Sequence, residues 1–204
     1  MSTVRRAGAD DLDRICRTLM RAFAADPLIR WMLTVDADYH EWQGAAFFRL
    51  LVLRWLEVGE VWTTTDVVAV SVWGPPVPDQ RLPDSVHAEM GAIYQRFDAR
   101  TQARLAAVGA AVDSHSPTDE YWYLNFLGTH PDWQRQGLGS ALLAPLRDRC
   151  DAEGLPQYLE TAADDDIAYY RARGFEVLES FDVLDPLDAD APSVTITTML
   201  RLPR

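Results

Sequence analysis

The sequence predicts one mixed α/β (α+β) domain spanning residues 1–204, with a central sheet of about seven strands flanked by helices. Three observations lead there. Apolar residues alternate in some stretches, as at Val68, Val70 and Val72, and recur at helical spacing in others, as at Leu12, Ile15, Leu19 and Phe23. From Glu120 onward the order reads strand, loop, helix, strand, helix, strand and strand. A chain of 204 residues, 48% hydrophobic and 25% charged, suits one well-buried core and is short for two ordinary domains.

Thr3 to Ala7 reads as a short first strand. Asp10 is placed to cap the helix that follows, with Asp13 at its electropositive start, and Asp26-Pro27 ends it. Leu28 to Leu33 suits one more helical turn, and a longer helix is expected from about Asp38 to Val58 on the apolar positions Phe47, Leu50, Leu51 and Trp55. Glu60 to Trp73 reads as a hairpin turning near Asp66. After a loop with Pro75, Pro76, Pro78 and Pro83, residues Ser85 to Val112 are helical with a break near Asp98, and Asp113 to Asp119 links onward. The Asp-rich run Asp182 to Asp190 is expected to be a solvated hairpin turn, before a last strand at Val194 to Leu200.

Leu124 to Leu143 joins a strand to a helix through a glycine loop. The alternation Trp122, Leu124, Phe126 fits an extended strand, and Leu138, Leu142, Leu146 fit one helix face. Gly137 and Gly139 lack the Cβ atoms that would hold an anion away from the backbone. The free N–H groups of the helix's first turn and the helix dipole make such a junction a site for a pyrophosphate. A dinucleotide fingerprint would need a third glycine where Leu142 stands. Pro145, eight residues into this helix, removes one backbone bond and is expected to bend it.

Composition excludes several classes. A net charge of −12 disfavours nucleic acid and anionic membranes as partners and is compatible with a cationic substrate. Cys16 and Cys150 are far apart on helical segments, which argues against a disulfide scaffold and suits a reducing cytoplasm. His40, His87, His115 and His130 show no ligand-like spacing, so no metal is expected. No apolar run approaches membrane-spanning length, and no signal or transit segment is indicated at the N-terminus.

The spacing Gln134-x-x-Gly137-x-Gly139 after a strand resembles the coenzyme A pyrophosphate loop of the GNAT acyltransferase superfamily. A second block, Tyr158-Leu159-Glu160-Thr161 followed by Asp164 to Asp166 and Tyr169-Tyr170-Arg171-Ala172-Arg173-Gly174-Phe175, resembles the last signature of the same family. Two signatures in the right order, about 30 residues apart, are hard to obtain by chance. Phe23, Val61-Trp62, Val70 to Trp73, Gly137 to Ala141 and Pro145 are also similar to family members that acetylate aminonucleoside antibiotics. That likeness spans roughly the whole chain and is weakest from Asp79 to Asp119.

The resemblance implies a mostly antiparallel sheet splayed between its two central strands, with acetyl-CoA in the gap and its pyrophosphate on Gln134, Arg135, Gln136, Gly137, Leu138, Gly139 and Ser140. The pantetheine arm would run along Leu127, Gly128 and Thr129, with the Leu127 N–H polarising the thioester carbonyl. Tyr170 is then the acid for the departing thiolate and Glu160 the leading base. Asp166 stands where the family usually has Asn, and a carboxylate lacks the amide's N–H donors. Asp26, Trp31 and Asn125 are candidates for holding the acceptor. The implied activity is N-acetylation of a primary amine of a small molecule, by direct attack, in a monomer or homodimer without a metal. The alternatives are acetylation of a protein N-terminus or lysine, and a non-catalytic acyl-CoA-binding module.

Overall fold

A computed structural model of the chain describes residues 3–33, 40–77 and 81–204. In chain order the elements are β1 (Val4–Arg6), α1 (Leu12–Ala22), α2 (Pro27–Met32), α3 (His40–Val58), β2 (Glu60–Thr64), β3 (Ala69–Gly74), α4 (Asp84–Tyr94), α5 (Ala99–His115), β4 (Trp122–Thr129), α6 (Leu138–Glu153), β5 (Gln157–Thr161), α7 (Asp164–Arg171), β6 (Glu176–Val183) and β7 (Val194–Arg201). The expected start of α3 at Asp38, and Pro78 of the following loop, lie outside the described residues. The sheet order is β1-β2-β3-β4-β5-β7-β6, antiparallel except where β4 meets β5.

That parallel contact is brief. It consists of Trp122 opposite Gln157 and Tyr123 opposite Tyr158, after which the strands part, so the sheet is open at its centre as expected. The parting coincides with a bulge in β4. Val72 faces Phe126 and Trp73 faces Leu124, which leaves Asn125 as the extra residue.

The bulge corrects the expected alternation of this strand. Trp122 and Leu124 pack into the core beneath α6 and α7, with Leu146, Leu159 and Tyr170. Phe126 instead packs into the core beneath α1 and α3, with Ile15, Phe48 and Val72. One inserted residue turns the following side chains to the other face.

Gly128 explains how closely α1 lies against β4. A Cβ there would sit 3.0 Å from each of Leu19, Ala22 and Phe23, so a side chain would require all three neighbours to give by a few tenths of an ångström. At the N-terminus the expected Asp10 cap is replaced. Residues Ala9–Asp11 form a 3₁₀ turn, and Asp11 pairs with Arg5 at 2.7 Å and accepts the Gly8 N–H.

The Asp-rich segment between β6 and β7 is anchored rather than freely solvated. Asp185 is buried and pairs with Arg104 at 2.6 Å and Arg100 at 2.8 Å, both on α5. Cys16 and Cys150 are buried free thiols. Among the described residues no helix is long and apolar enough to cross a membrane.

Candidate active site

The loop after β4 has the backbone of an anion cradle. Arg135 (φ 59°) and Gly137 (φ 81°) are left-handed, a pattern that turns successive N–H groups toward one point. Gln134 closes the loop by donating from Nε2 to the Thr129 carbonyl at 3.2 Å. Gly137 is the N-cap of α6 and supplies no side-chain cap, so the first-turn N–H groups are left for a ligand. At Gly139 a Cβ would lie 2.5 Å from the Tyr169 hydroxyl.

This loop forms one wall of a groove of about 540 Å³. Leu127, Thr129, Gln134, Arg135, Gly137, Leu138, Gly139, Ser140, Asp166 and Tyr170 line it, together with Trp133, Tyr169 and Arg173. A smaller cavity of about 70 Å³ occupies the gap between β4 and β5, where Asp26, Asn125, Glu160, Leu127, Asp166 and Tyr170 meet Phe23 and Ile29. Leu127, Asp166 and Tyr170 border both spaces. Gln136 lines neither, and Gly128 faces α1 rather than the groove.

Strand geometry aims the Leu127 amide into the gap. His130 N–H donates to the Val68 carbonyl at 2.8 Å, across the β3 side. Antiparallel N–H groups alternate, so those of Gly128 and Phe126 also face β3 and those of Leu127 and Thr129 face away. Before the bulge the parity is reversed, since Trp122 N–H bonds the Pro156 carbonyl at 2.9 Å on the β5 side. Without the extra residue at Asn125, the Leu127 N–H would be spent on β3.

Glu160 lies on the opposite face of β5 from Leu159, which packs beneath α6. Burial pushes its carboxyl from 4.5 up to about 7, against the opposing pull of the nearby Tyr123 and Tyr158 hydroxyls. Its Oε1 has no hydrogen-bond partner of good geometry, nor does the Tyr158 hydroxyl. Tyr170 keeps its proton. Burial first, and then the charge of Asp166, hold its hydroxyl well above the usual phenol range.

Asp26 and Asp166 are both raised, chiefly by burial. The carboxylate of Asp26 accepts the Ile29 N–H at 2.8 Å and so caps α2 while bordering the gap. Asp166 is held by the Thr161 hydroxyl at 3.3 Å.

Trp31 stands apart from this group. Two positions after Ile29, about 200° further round α2, its indole N–H donates to the Pro192 carbonyl at 2.7 Å and its ring lies 4.8 Å from the Arg104 guanidinium. Tyr169, which no sequence feature marked for the site, borders the groove, and the Arg173 guanidinium stacks 3.3 Å over its ring. Arg173 donates to Ser140 Oγ at 2.6 Å and to the Tyr169 carbonyl at 2.6 Å. Its only sequence signal is a place inside Tyr170-x-x-x-Gly174, where the residue type carries no code.

Fold and site together fit an acyltransferase, with a groove walled by an anion cradle opening onto a small acidic gap. A model of the acetyltransferase (GNAT) family matches residues 71–175, and the chain belongs to that family. An uncharacterized N-acetyltransferase of Schizosaccharomyces pombe is 25% identical over 213 residues, covering 98% of this chain and 83% of that protein. A Corynebacterium glutamicum structure described as histone acetyltransferase HPA2 and related acetyltransferase has the same fold, with TM-score 0.68 and 24% identity over 100% of this chain and 97% of its own. The Drosophila melanogaster polyamine N-acetyltransferase superposes with TM-score 0.60 at 16% identity, covering 99% of this chain and 100% of its own.

Proposed function

We propose that this enzyme transfers an acetyl group from acetyl-CoA to a primary amine of a small, cationic molecule, by direct attack with both substrates bound. The observation that carries the reading is the meeting of groove and gap at Leu127, Asp166 and Tyr170. Acetyl-CoA supplies an acetyl group activated as a thioester; the chain does the rest. The cradle from Gln134 to Ser140 and the Arg135 cation hold its pyrophosphate. The Leu127 N–H donates to the carbonyl oxygen as negative charge gathers there.

Glu160, ionised near neutral pH, takes a proton from the incoming ammonium so that a neutral nitrogen attacks. The carbon–sulfur bond breaks as the carbon–nitrogen bond forms, Tyr170 gives its proton to the departing sulfur, and the second proton of the attacking nitrogen is released as the amide forms and restores the Tyr170 hydroxyl. Asp26 and Asp166 attract the cation into the gap, and Asn125 is placed to bond its polar groups.

The small gap favours a small amine over a polypeptide, and retention of Tyr170 and of the loop favours catalysis over binding alone. The likeness to puromycin N-acetyltransferase in the loop, in Val70 to Trp73 and at Pro145 supports an antibiotic-like amine. The formation of N-acetylagmatine by the Drosophila enzyme is consistent with a small amine acceptor. Two free buried thiols and the net charge of −12 fit a cytoplasmic setting without nucleic acid or membrane partners. Incubation with acetyl-CoA and pooled amines, followed by mass spectrometry, should show a gain of one acetyl group with release of free thiol. Absence of turnover with every amine, while coenzyme A still binds, would leave a binding module.

A further inference from the structure

We infer that a second, arginine-walled cavity beside the coenzyme groove binds a phosphate-type dianion. The cavity measures about 310 Å³ and lies between α6, α7 and the adjoining ends of β5 and β7. Arg147, Arg173 and Arg201 line it with Gln157 and Ser140, on a chain of net charge −12. Ser140 and Arg173 also line the groove, so the two spaces share a wall.

The hydrogen-bond inventory of this cavity is incomplete in one direction only. Arg201 is 3% exposed and Gln157 2%. Arg201 spends Nη2 on Asp151 at 2.8 Å and Nη1 on Gln157 Oε1 at 3.4 Å. Its Nε–H then has no acceptor, and neither does Gln157 Nε2. Buried donors without acceptors are costly and rare, and both belong to residues that line the same cavity.

The charges are also unbalanced. Arg147 pairs with Asp148 at 2.8 Å and Arg201 with Asp151, while among the described residues Arg173 has no carboxylate and leans on the Ser140 hydroxyl and the Tyr169 carbonyl. The site therefore combines an excess positive charge with N–H donors contributed by residues of β5, β7 and the helices. A cation would be repelled, and an apolar molecule would leave the donors unmet. A tetrahedral oxyanion offers charge and several acceptor directions at once.

Two sources can present that chemistry: free phosphate, or the ribose 3′-phosphate of coenzyme A. Only the second rests on the proposed cofactor. The test is calorimetric titration of inorganic phosphate, coenzyme A and dephospho-coenzyme A into the wild type, Arg147→Gln and Gln157→Leu, with thermal melts confirming that each variant is folded. The removal of a charged or buried donor should weaken phosphate-dependent binding about tenfold or more.

If coenzyme A binds the wild type at least tenfold more tightly than dephospho-coenzyme A and both variants close the gap, the dianion is the carrier's own phosphate. If the two bind alike while inorganic phosphate binds alongside saturating coenzyme A, and the variants weaken it, the ligand is separate. The inference is overturned if the folded variants bind phosphate and discriminate the two carriers as the wild type does, or if the wild type does neither. Should no coenzyme bind at all, the inorganic phosphate titration still decides this site, and only the proposed function fails.

Discussion

Replacing Glu160 by Gln tests the base through stability as well as rate. The folded protein holds this carboxyl at about 7 against 4.5 when solvated, chiefly by burial. Between those values the folded state binds a proton that the unfolded state has released. The contribution is therefore fully present below about pH 4.5 and is lost as pH rises through about 7. At roughly 1.4 kcal/mol for each tenfold change in proton affinity, the full loss is about 3 kcal/mol, of which about 2.5 kcal/mol falls between pH 5 and 8.

Gln carries no charge at either pH and escapes the loss. Urea unfolding of both proteins at pH 5 and pH 8 should thus show the variant gaining about 2 to 3 kcal/mol on the wild type, or roughly 5 to 10 °C in melting temperature. Over the same range, wild-type kcat/KM should rise with pH through about 7, and the variant should lose that limb and roughly a hundredfold or more in rate. A stability difference that stays constant between pH 5 and 8 would refute both the burial of the charge and its use as a base near neutrality.

Tyr170→Phe should lower kcat about a hundredfold or more while leaving acetyl-CoA binding within a few-fold, as measured by steady-state kinetics and calorimetry, and an unchanged kcat would remove Tyr170 as the acid. Asp166→Asn restores amide donors at the junction of groove and gap, so coenzyme A affinity should rise severalfold; weaker binding would contradict this placement. Arg135→Gly relieves a left-handed residue and should leave folding stability unchanged or raise it by about 1 kcal/mol while coenzyme affinity falls, a split seen by comparing unfolding with binding. Asp185→Ala strands the buried Arg104 and should cost about 3 kcal/mol or more in urea unfolding, which a freely solvated loop would not show.

The fold was legible in the sequence where local pattern decides it. The glycine loop, the left-handed glycine after α7 at Gly174 (φ 91°) and the strand-helix order after Glu120 depend on neighbours a few residues away. The bulge at Asn125 was not legible, because an extra residue in one strand is defined only by its partner, here Val72 and Trp73 on β3. The site divides the same way. Tyr170 and Glu160 border the gap, a placement that spacing and strand parity make readable, whereas Trp31 lies apart from it, held by partners, Arg104 and Pro192, that are 73 and 161 positions away. Arg173 and Tyr169 enter the groove through a stacking contact that no periodicity announces.

The seam between β4 and β5 crosses the middle of the sheet with two residue pairs, reinforced by side-chain packing at those same positions, with the Tyr123 and Tyr158 rings 6.1 Å apart and Trp122 in one cluster with Leu159. A hydrogen-bonded ladder is stiff because each bond fails over a few tenths of an ångström, but packed apolar surfaces slide at little cost. The two halves of the sheet, one carrying α1 and the other α7, are joined by far fewer rungs than any other neighbouring pair of long strands. For the proposed acetyl transfer, such a seam is where the sheet can open for a carrier without a loop having to unfold.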